Sequence, residues 1–504
     1  MWSVQIERRS TYHVSRSALY AGLVALGLAV LYIVYALRSS GVYDDDVIGH
    51  YLIARWSWRH PELFLNTWGR PAFTILYAPV ALLGLKAVQI FSAVLAVLVA
   101  VSSARLAQSY GLRWCWLAAL FTGLQPEFVR QGFAGLTELV AAACLCMALL
   151  GMAQRRWWLA AFGAGLLPFA RYELLPVLLL FAAAPAWERR WAYAGMALLP
   201  LLAWNCYNAW TAGAWQLILF PFDRLLGQPG GIIFDYGSGP LTHYVALLPN
   251  AFGGAYVVLA ALGLLRLRVG LLHGCVFIVV AVLSVSYWAI PSTGIAGYIR
   301  HLAVLAPVVG VLAVAGVEQI AGWARPWRRW SGVAVLVALA GWLLARQLHA
   351  DVVVAASAAV GLIFFAHSWR VALGVTAQAL LVMLLTVLLT VQPYRINSEQ
   401  QQAWEAGQWL RASAYRNRVV LASHVWFTYG SGVDPYDRTV SRPIMPREID
   451  DAPVGSIVVW DSHYSARLVW QTPRALVQSD PRLRLLRQFK SGGFEMNVYE
   501  KVTA

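Results

Sequence analysis

Asp44, Asp45 and Asp46 stand in a row just after an apolar run, about Ser17 to Leu37, that is long enough to cross a bilayer. Carboxylates are costly to bury in hydrocarbon, so these three belong in water or in a polar cavity at a membrane edge. A carboxylate held there can take the proton of a hydroxyl nucleophile, which is general-base chemistry. The acids open a stretch, Val47 to Arg59, with aromatic residues and arginines at helical spacing, as in a helix lying at an interface. The plain structural reading is that Asp45 or Asp46 caps this helix, whose dipole favours negative charge at its start. One acid suffices for a cap, and three point to a further use.

Other polar residues recur between apolar runs. Glu127, Arg130 and the pair Thr137-Glu138 lie in one such loop, and Arg171-Tyr172-Glu173 in another. Gly297-Tyr298-Ile299-Arg300-His301 leads into a late apolar run, and His50, His243, Asp223, Arg224 and Asp235 add to the set. Capping, an Arg171–Glu173 ion pair and an interfacial arginine would each account for part of this. The functional reading is anion binding, because arginine presents a planar fork to phosphate oxygens.

These residues need a scaffold, and composition names it. The 504 residues are 60% hydrophobic and 12% charged, where soluble domains carry about 25% charged residues. The chain is therefore an α-helical polytopic membrane protein. Its net charge of +15 comes almost wholly from arginine, with lysine only at 86, 490 and 501. Arginines on cytoplasmic loops facing anionic lipid account for that balance, and no nucleic-acid partner is expected. The five cysteines lie in or beside apolar runs, so no disulfide framework follows. The N-terminal apolar run has no small-residue cleavage site and reads as a retained first helix.

Arginine clusters orient the chain. Arg8, Arg9 and Arg16 place the N-terminus in the cytoplasm, and the three aspartates fall outside. Alternation onward gives about 11–13 spans. Pro71 to Leu85 is a short re-entrant or interfacial helix within the first outer loop (38–86), Tyr244 to Leu265 is one span, and a hairpin precedes a final span from about Val371 to Val391. Residues 1–392 form the transmembrane domain. Residues 393–504 are polar and form a small extracytoplasmic α/β domain. It has a helix over Asn397 to Ser413 and strands at Arg418 to Ala422, Gly455 to Trp460 and Phe494 to Tyr499.

The order of these motifs resembles the GT-C superfamily of membrane glycosyltransferases. The pattern is an acidic motif after the first helix, a Thr-Glu in the second outer loop, an Arg-x-Glu in the third and a Tyr-x-Arg-His before a late helix. Within that superfamily the chain resembles the branch of the bacterial protein mannosyltransferases and the aminoarabinose transferase of lipid A. Asp45-Asp46-Val-Ile-Gly-His-Tyr51-Leu-Ile-Ala54-Arg55 carries the local match. The resemblance implies inverting transfer of a sugar from a polyprenyl-phosphate donor to a hydroxyl of a lipid, glycan or protein acceptor. The setting is the extracytoplasmic face of a bacterial-type inner membrane. It implies a first-loop aspartate as base, Asp45 before Asp44 and Asp46, with Glu138 at the second acidic position. It also implies Arg300, His301, Arg171, Tyr298 and Arg70 around the donor phosphate, with Glu173, His243 and His50 as further candidates. No cofactor is required; a divalent metal, if used, would sit on Asp45 and Glu138. At the position where a Lys or Arg often precedes a proline, the first loop offers Arg70 alone, and Glu138 replaces a frequent Asp.

Two other classes fit a membrane chain of this kind. A flippase or sugar-lipid transporter would carry mid-membrane charges and inverted repeats. Here the acids gather at one face and no such repeat is visible. A non-catalytic lipid-binding subunit would keep the fold and lose the chemistry.

Overall fold

The computed structural model describes residues 11–212, 238–289, 297–322, 371–467 and 470–503. The chain is a multi-pass helical membrane protein with a small sheet domain at its C-terminal end. Among the described residues, Ser17–Arg38, Leu85–Ser109, Leu271–Ala289 and Ile299–Gly322 are long and apolar enough to cross a bilayer. Shorter apolar helices (Thr137–Ala153, Trp157–Ala170, Tyr172–Trp187) pack among them.

The first helix shows how faces are assigned. Leu19, Leu23, Leu26 and Val30 are exposed, as lipid-facing residues are. Leu28, Tyr32 and Ala36, spaced four apart, share one buried stripe. Its C-terminal carbonyls are held by a rare lysine: Lys86 Nζ donates to Ala36 O at 2.7 Å and Ser39 O at 2.6 Å. A cation there complements the negative end of the helix dipole. The helix thus ends where the acids begin.

The first outer loop contains the helices Asp45–Trp56 and Pro71–Ala81 before the chain returns along Leu85–Ser109. Pro71–Ala81 has 11 residues, short of the ~20 that span a bilayer. Asp44, not Asp45 or Asp46, occupies the N-cap position of the first of these helices, and its side chain makes no cap bond. The capping role expected of Asp45 or Asp46 is therefore filled by neither.

The single span expected over Tyr244 to Leu265 is two helices, His243–Phe252 and Gly254–Arg266, bent by 110°. Gly253 at φ 86° supplies the break, since that backbone conformation ends a helix. The second half lies against Ala306–Gly322 at very close range. A Cβ on Gly263 would fall 1.9 Å from Leu312 O, and one on Gly316 1.9 Å from Leu259 O. Paired small residues let two membrane helices approach backbone to backbone. The span Ile299–Gly322 is buried along nearly its whole length and forms the centre of the bundle. It starts as a 3₁₀ turn, Ile299–Leu305, that carries Arg300 and His301. The hairpin expected before the last span lies outside the described residues, as do Asp223, Arg224 and Asp235 of the long loop that precedes His243.

The C-terminal sheet contains β1 (Val420–Leu421), β2 (Ser441–Arg442), β3 (Ile457–Asp461), β4 (Leu483–Ser491) and β5 (Phe494–Lys501), in the order β2-β1-β3-β5-β4. β1 lies parallel to both β2 and β3, while β5 runs antiparallel to β3 and β4. The sequence reading missed β2 and β4. β2 is only 2 residues long, and β4 is a mostly polar strand without clean alternation. The helix Ser398–Ala412 begins with a capping box between Asn397 and Gln400, the pattern that fixes a helix start.

Candidate functional site

A cavity of ≈ 590 Å³, counting its solvent-open part, lies where the first outer loop meets the 3₁₀ turn of Ile299–Leu305. Eight of the expected site residues line it: Asp46, His50, Arg70, Glu138, Arg171, Tyr298, Arg300 and His301. Five elements deliver them, Arg70 from the start of Pro71–Ala81 and Tyr298, Arg300 and His301 from the 3₁₀ turn. Asp46 and His50 are one helical turn apart on Asp45–Trp56. Glu138 sits in the first turn of Thr137–Ala153. Arg171 ends Trp157–Ala170, where Pro168 sits inside the last turn.

Opposite charges alternate through the site. Arg300 meets Asp44, Asp46 and, through Nε at 3.2 Å, Glu138. Arg171 reaches Glu138 at 2.7 Å and Glu173 at 2.6 Å. Glu138, Arg171, Glu173 and Arg300 are all buried. Buried charges persist only when paired in this way. Asp44 and Glu173 thus stand behind the cavity wall, each on an arginine that faces the cavity. Burial and the carboxylates of Glu138 and Asp45 push the Asp46 carboxyl up to about 6, against the pull of Arg171 and Arg70.

Arg70 differs from the other two arginines. Among the described residues, no carboxylate lies within ion-pair distance of it. It donates to Thr67 O at 2.9 Å and lies 4.0 Å over the Tyr172 ring. Its φ of 59° is unusual for a side chain with a Cβ. Pro71 follows at the first helical position and fixes the turn.

His50 is stacked on Trp68, with ring centroids 4.7 Å apart. Gly49 makes room for this, because a Cβ there would fall 2.2 Å from the Trp68 ring. Burial, with Arg70 and Arg171 adding to it, lowers the His50 pKa to about 3, so the ring is neutral. Its Nδ1 is buried without a hydrogen-bond partner among the described residues. Tyr298 lies under Arg300, 4.5 Å from the guanidinium carbon. His301 Nδ1 faces Tyr244 Oη at 3.2 Å.

Two expected residues lie elsewhere. His243 faces Gly297 O at 2.9 Å and packs on Tyr287 and Tyr244, one layer behind His301. Asp45 points to the C-terminal domain. It accepts from Gln400 Nε2 and Trp426 Nε1, both at 3.0 Å, and from Tyr464 Oη at 2.7 Å. Asp45 and Glu138 therefore belong to separate clusters, and the metal pairing considered from sequence does not form. Glu127 and Arg130 pair with each other at 3.1 Å, outside the cavity lining.

Trp68 and Tyr172 line the cavity and were not singled out from sequence. Tyr172 lay between two flagged charges. Nothing around Trp68 sets it apart from the chain's 24 tryptophans.

Neither a family profile nor a curated protein matches the chain in sequence. Solved structures do match. ArnT from Cupriavidus metallidurans in the apo state superposes with a TM-score of 0.59 at 13% identity, covering 96% of this chain and 98% of that one. The chain has the GT-C fold. ArnT bound to undecaprenyl phosphate superposes with a TM-score of 0.55 at 12% identity, covering 94% of this chain and 97% of that one. The GT-C likeness extends over the helical bundle and the C-terminal sheet domain alike.

Proposed function

We propose that the chain is a membrane glycosyltransferase that moves a sugar from a polyprenyl-phosphate donor to an acceptor hydroxyl on the extracytoplasmic face. The supporting observation is one cavity that sets Asp46 among Arg70, Arg171 and Arg300, in a fold whose solved neighbour binds undecaprenyl phosphate. Of the three consecutive aspartates, Asp46 alone lines that cavity, so it takes the role of base ahead of Asp45. It accepts the proton of the acceptor hydroxyl, whose oxygen attacks the anomeric carbon from the side opposite the phosphate, inverting it. The bond to the phosphate oxygen breaks, and the phosphate leaves toward fixed positive charge. Arg70 is the cation best placed for it, since no carboxylate competes. The His50, Trp68 and Tyr298 rings would hold the sugar.

Asp46→Asn keeps the shape of the side chain and removes the acceptor of the proton. Transfer of labelled sugar from a polyprenyl-phosphate donor should fall by about 10²–10⁴-fold, while undecaprenyl phosphate still binds in nanodiscs. Unchanged transfer in Asp46→Asn would remove the base. Absence of any transfer in the native protein, with undecaprenyl phosphate still bound, would favour a lipid-binding subunit or a transporter.

A further inference from the structure

A second set of side chains converges outside the cavity, where the Asp45–Trp56 helix meets the C-terminal domain. One ligand atom each from Asp45, Glu399, His424 and His463 lies within 4.8 Å of all the others. The fold explains the meeting. Glu399 is in the first turn of Ser398–Ala412. His424 and His463 follow β1 and β3, which are neighbours and parallel, so the loops at their C-terminal ends emerge side by side. Asp45 comes from the first outer loop and closes the set.

Charge is the independent observation. Asp44, Asp46, Glu127, Glu138 and Glu173 are each met by an arginine. Among the described residues, neither Asp45 nor Glu399 has an arginine or lysine within ion-pair distance. Asp45 has only the neutral donors named above. Glu399 faces the two imidazoles, His424 Nε2 at 3.2 Å and His463 Nδ1. In a strongly basic protein, these two neighbouring carboxylates are faced by imidazoles and neutral donors in place of arginine.

We infer that Asp45, Glu399, His424 and His463 bind one divalent transition-metal ion, with a donor set suited to zinc, that fastens the first outer loop to the C-terminal domain. Two carboxylates and two neutral imidazoles balance a dication. Nitrogen and oxygen donors in a set of four suit tetrahedral zinc, whereas calcium and magnesium want more oxygens. Zinc bonds of about 2.0–2.2 Å place ligand atoms about 3.3–3.6 Å apart, so the ion draws the four inward. It takes the place toward which the imidazoles now face Glu399. Each ring then carries its proton on the other nitrogen. For His463 that nitrogen lies beside Arg467, an exposed side chain with room to turn. For His424 it is Nδ1, so zinc binding gives up the long N-cap bond that Nδ1 accepts from the Trp426 N–H at 3.3 Å. Tyr464 and Trp426 remain as hydrogen-bond supports of Asp45. The inference is independent of sugar transfer, because it concerns none of the cavity-lining residues.

The test uses the full chain in detergent with any affinity tag removed. It is stripped with chelator, titrated with zinc chloride and desalted, and metal is counted by mass spectrometry. One zinc per chain and a raised melting temperature are expected, since an ion that binds only the folded state stabilises it. His463→Ala changes a half-buried residue and should weaken zinc binding by at least about 100-fold. His60→Ala, on the separate pair with Asp434 at 2.9 Å, should keep it. If His463→Ala does not fold, cobalt(II) added to the stripped native protein should give the visible absorption of a tetrahedral site. Failure of the native chain to take up zinc in stoichiometric amount overturns the inference. So does equal uptake by folded His463→Ala, or cobalt bound without that absorption.

Discussion

At the scale of single residues, the cavity is governed by which charges are already spent. Arg171 and Arg300 are each committed to acids, the buried Glu138 among them, and Arg70 is not. Two expectations follow from that difference. Arg171→Ala would leave Glu173 buried without a partner and Glu138 with Arg300 alone, and should destabilise the fold by about 3–5 kcal/mol. Thermal unfolding in detergent would register it. Arg171→Lys should not restore the loss, since one ammonium cannot reproduce a planar fork that serves two carboxylates. Arg70→Ala should leave the melting temperature near that of the native chain, because the guanidinium forms no ion pair. Its effect should appear in undecaprenyl phosphate binding, weakened by about 1.5–3 kcal/mol, the worth of a hydrogen bond to a charged group. Native-like affinity in Arg70→Ala would shift the phosphate to Arg300 or Arg171.

At the scale of elements, the site depends on helices that touch through glycine. The Ile299–Leu305 turn is delivered by the span that continues to Gly322, and that span is seated on Gly254–Arg266 through Gly263 and Gly316. A side chain at either glycine meets backbone, which cannot swing aside as a side-chain tip can. Gly316→Val should therefore cost about 3 kcal/mol or more, the upper range for overpacking, and should lower the yield of monodisperse protein in size-exclusion chromatography. Gly195→Val is the comparison, because nothing lies within 4 Å of a Cβ there. Equal behaviour of the two variants would show that the helices have room to separate. Lys86 works at the same scale. It ties the end of the first helix to the start of the returning one, and so sets where the aspartates emerge.

At the scale of the whole molecule, the C-terminal domain sits on the side of the membrane that carries the three aspartates. Asp45 bonds to Gln400, Trp426 and Tyr464, and His60 to Asp434. The positive-inside reading puts that side out of the cytoplasm. Thr439 is exposed in this domain. Thr439→Cys, in a background where the exposed Cys206 is replaced by serine, should react with an impermeant thiol reagent in intact cells. Reaction only after permeabilisation would invert the topology and move the cavity to the cytoplasmic face.

The sequence by itself determined the class of the protein, most helix positions and most of the cavity lining. These were legible because apolar length is a local property and because a charged residue is conspicuous at the end of an apolar run. Asp46, Glu138, Arg171 and Arg300 were all visible in this way. Tertiary structure decided how they are used. Successive residues on a helix point about 100° apart, so three identical aspartates cannot be ranked until it is known what packs on each side. The C-terminal domain takes Asp45, Arg300 draws Asp44 behind the wall, and Asp46 is left at the cavity. The break at Gly253 was likewise hidden inside a continuous apolar run. The pairing of His424 with His463 was hidden too, 39 positions apart in sequence, because sheet order is a long-range property. Only the adjacency of two parallel strands brings those histidines to the same acid.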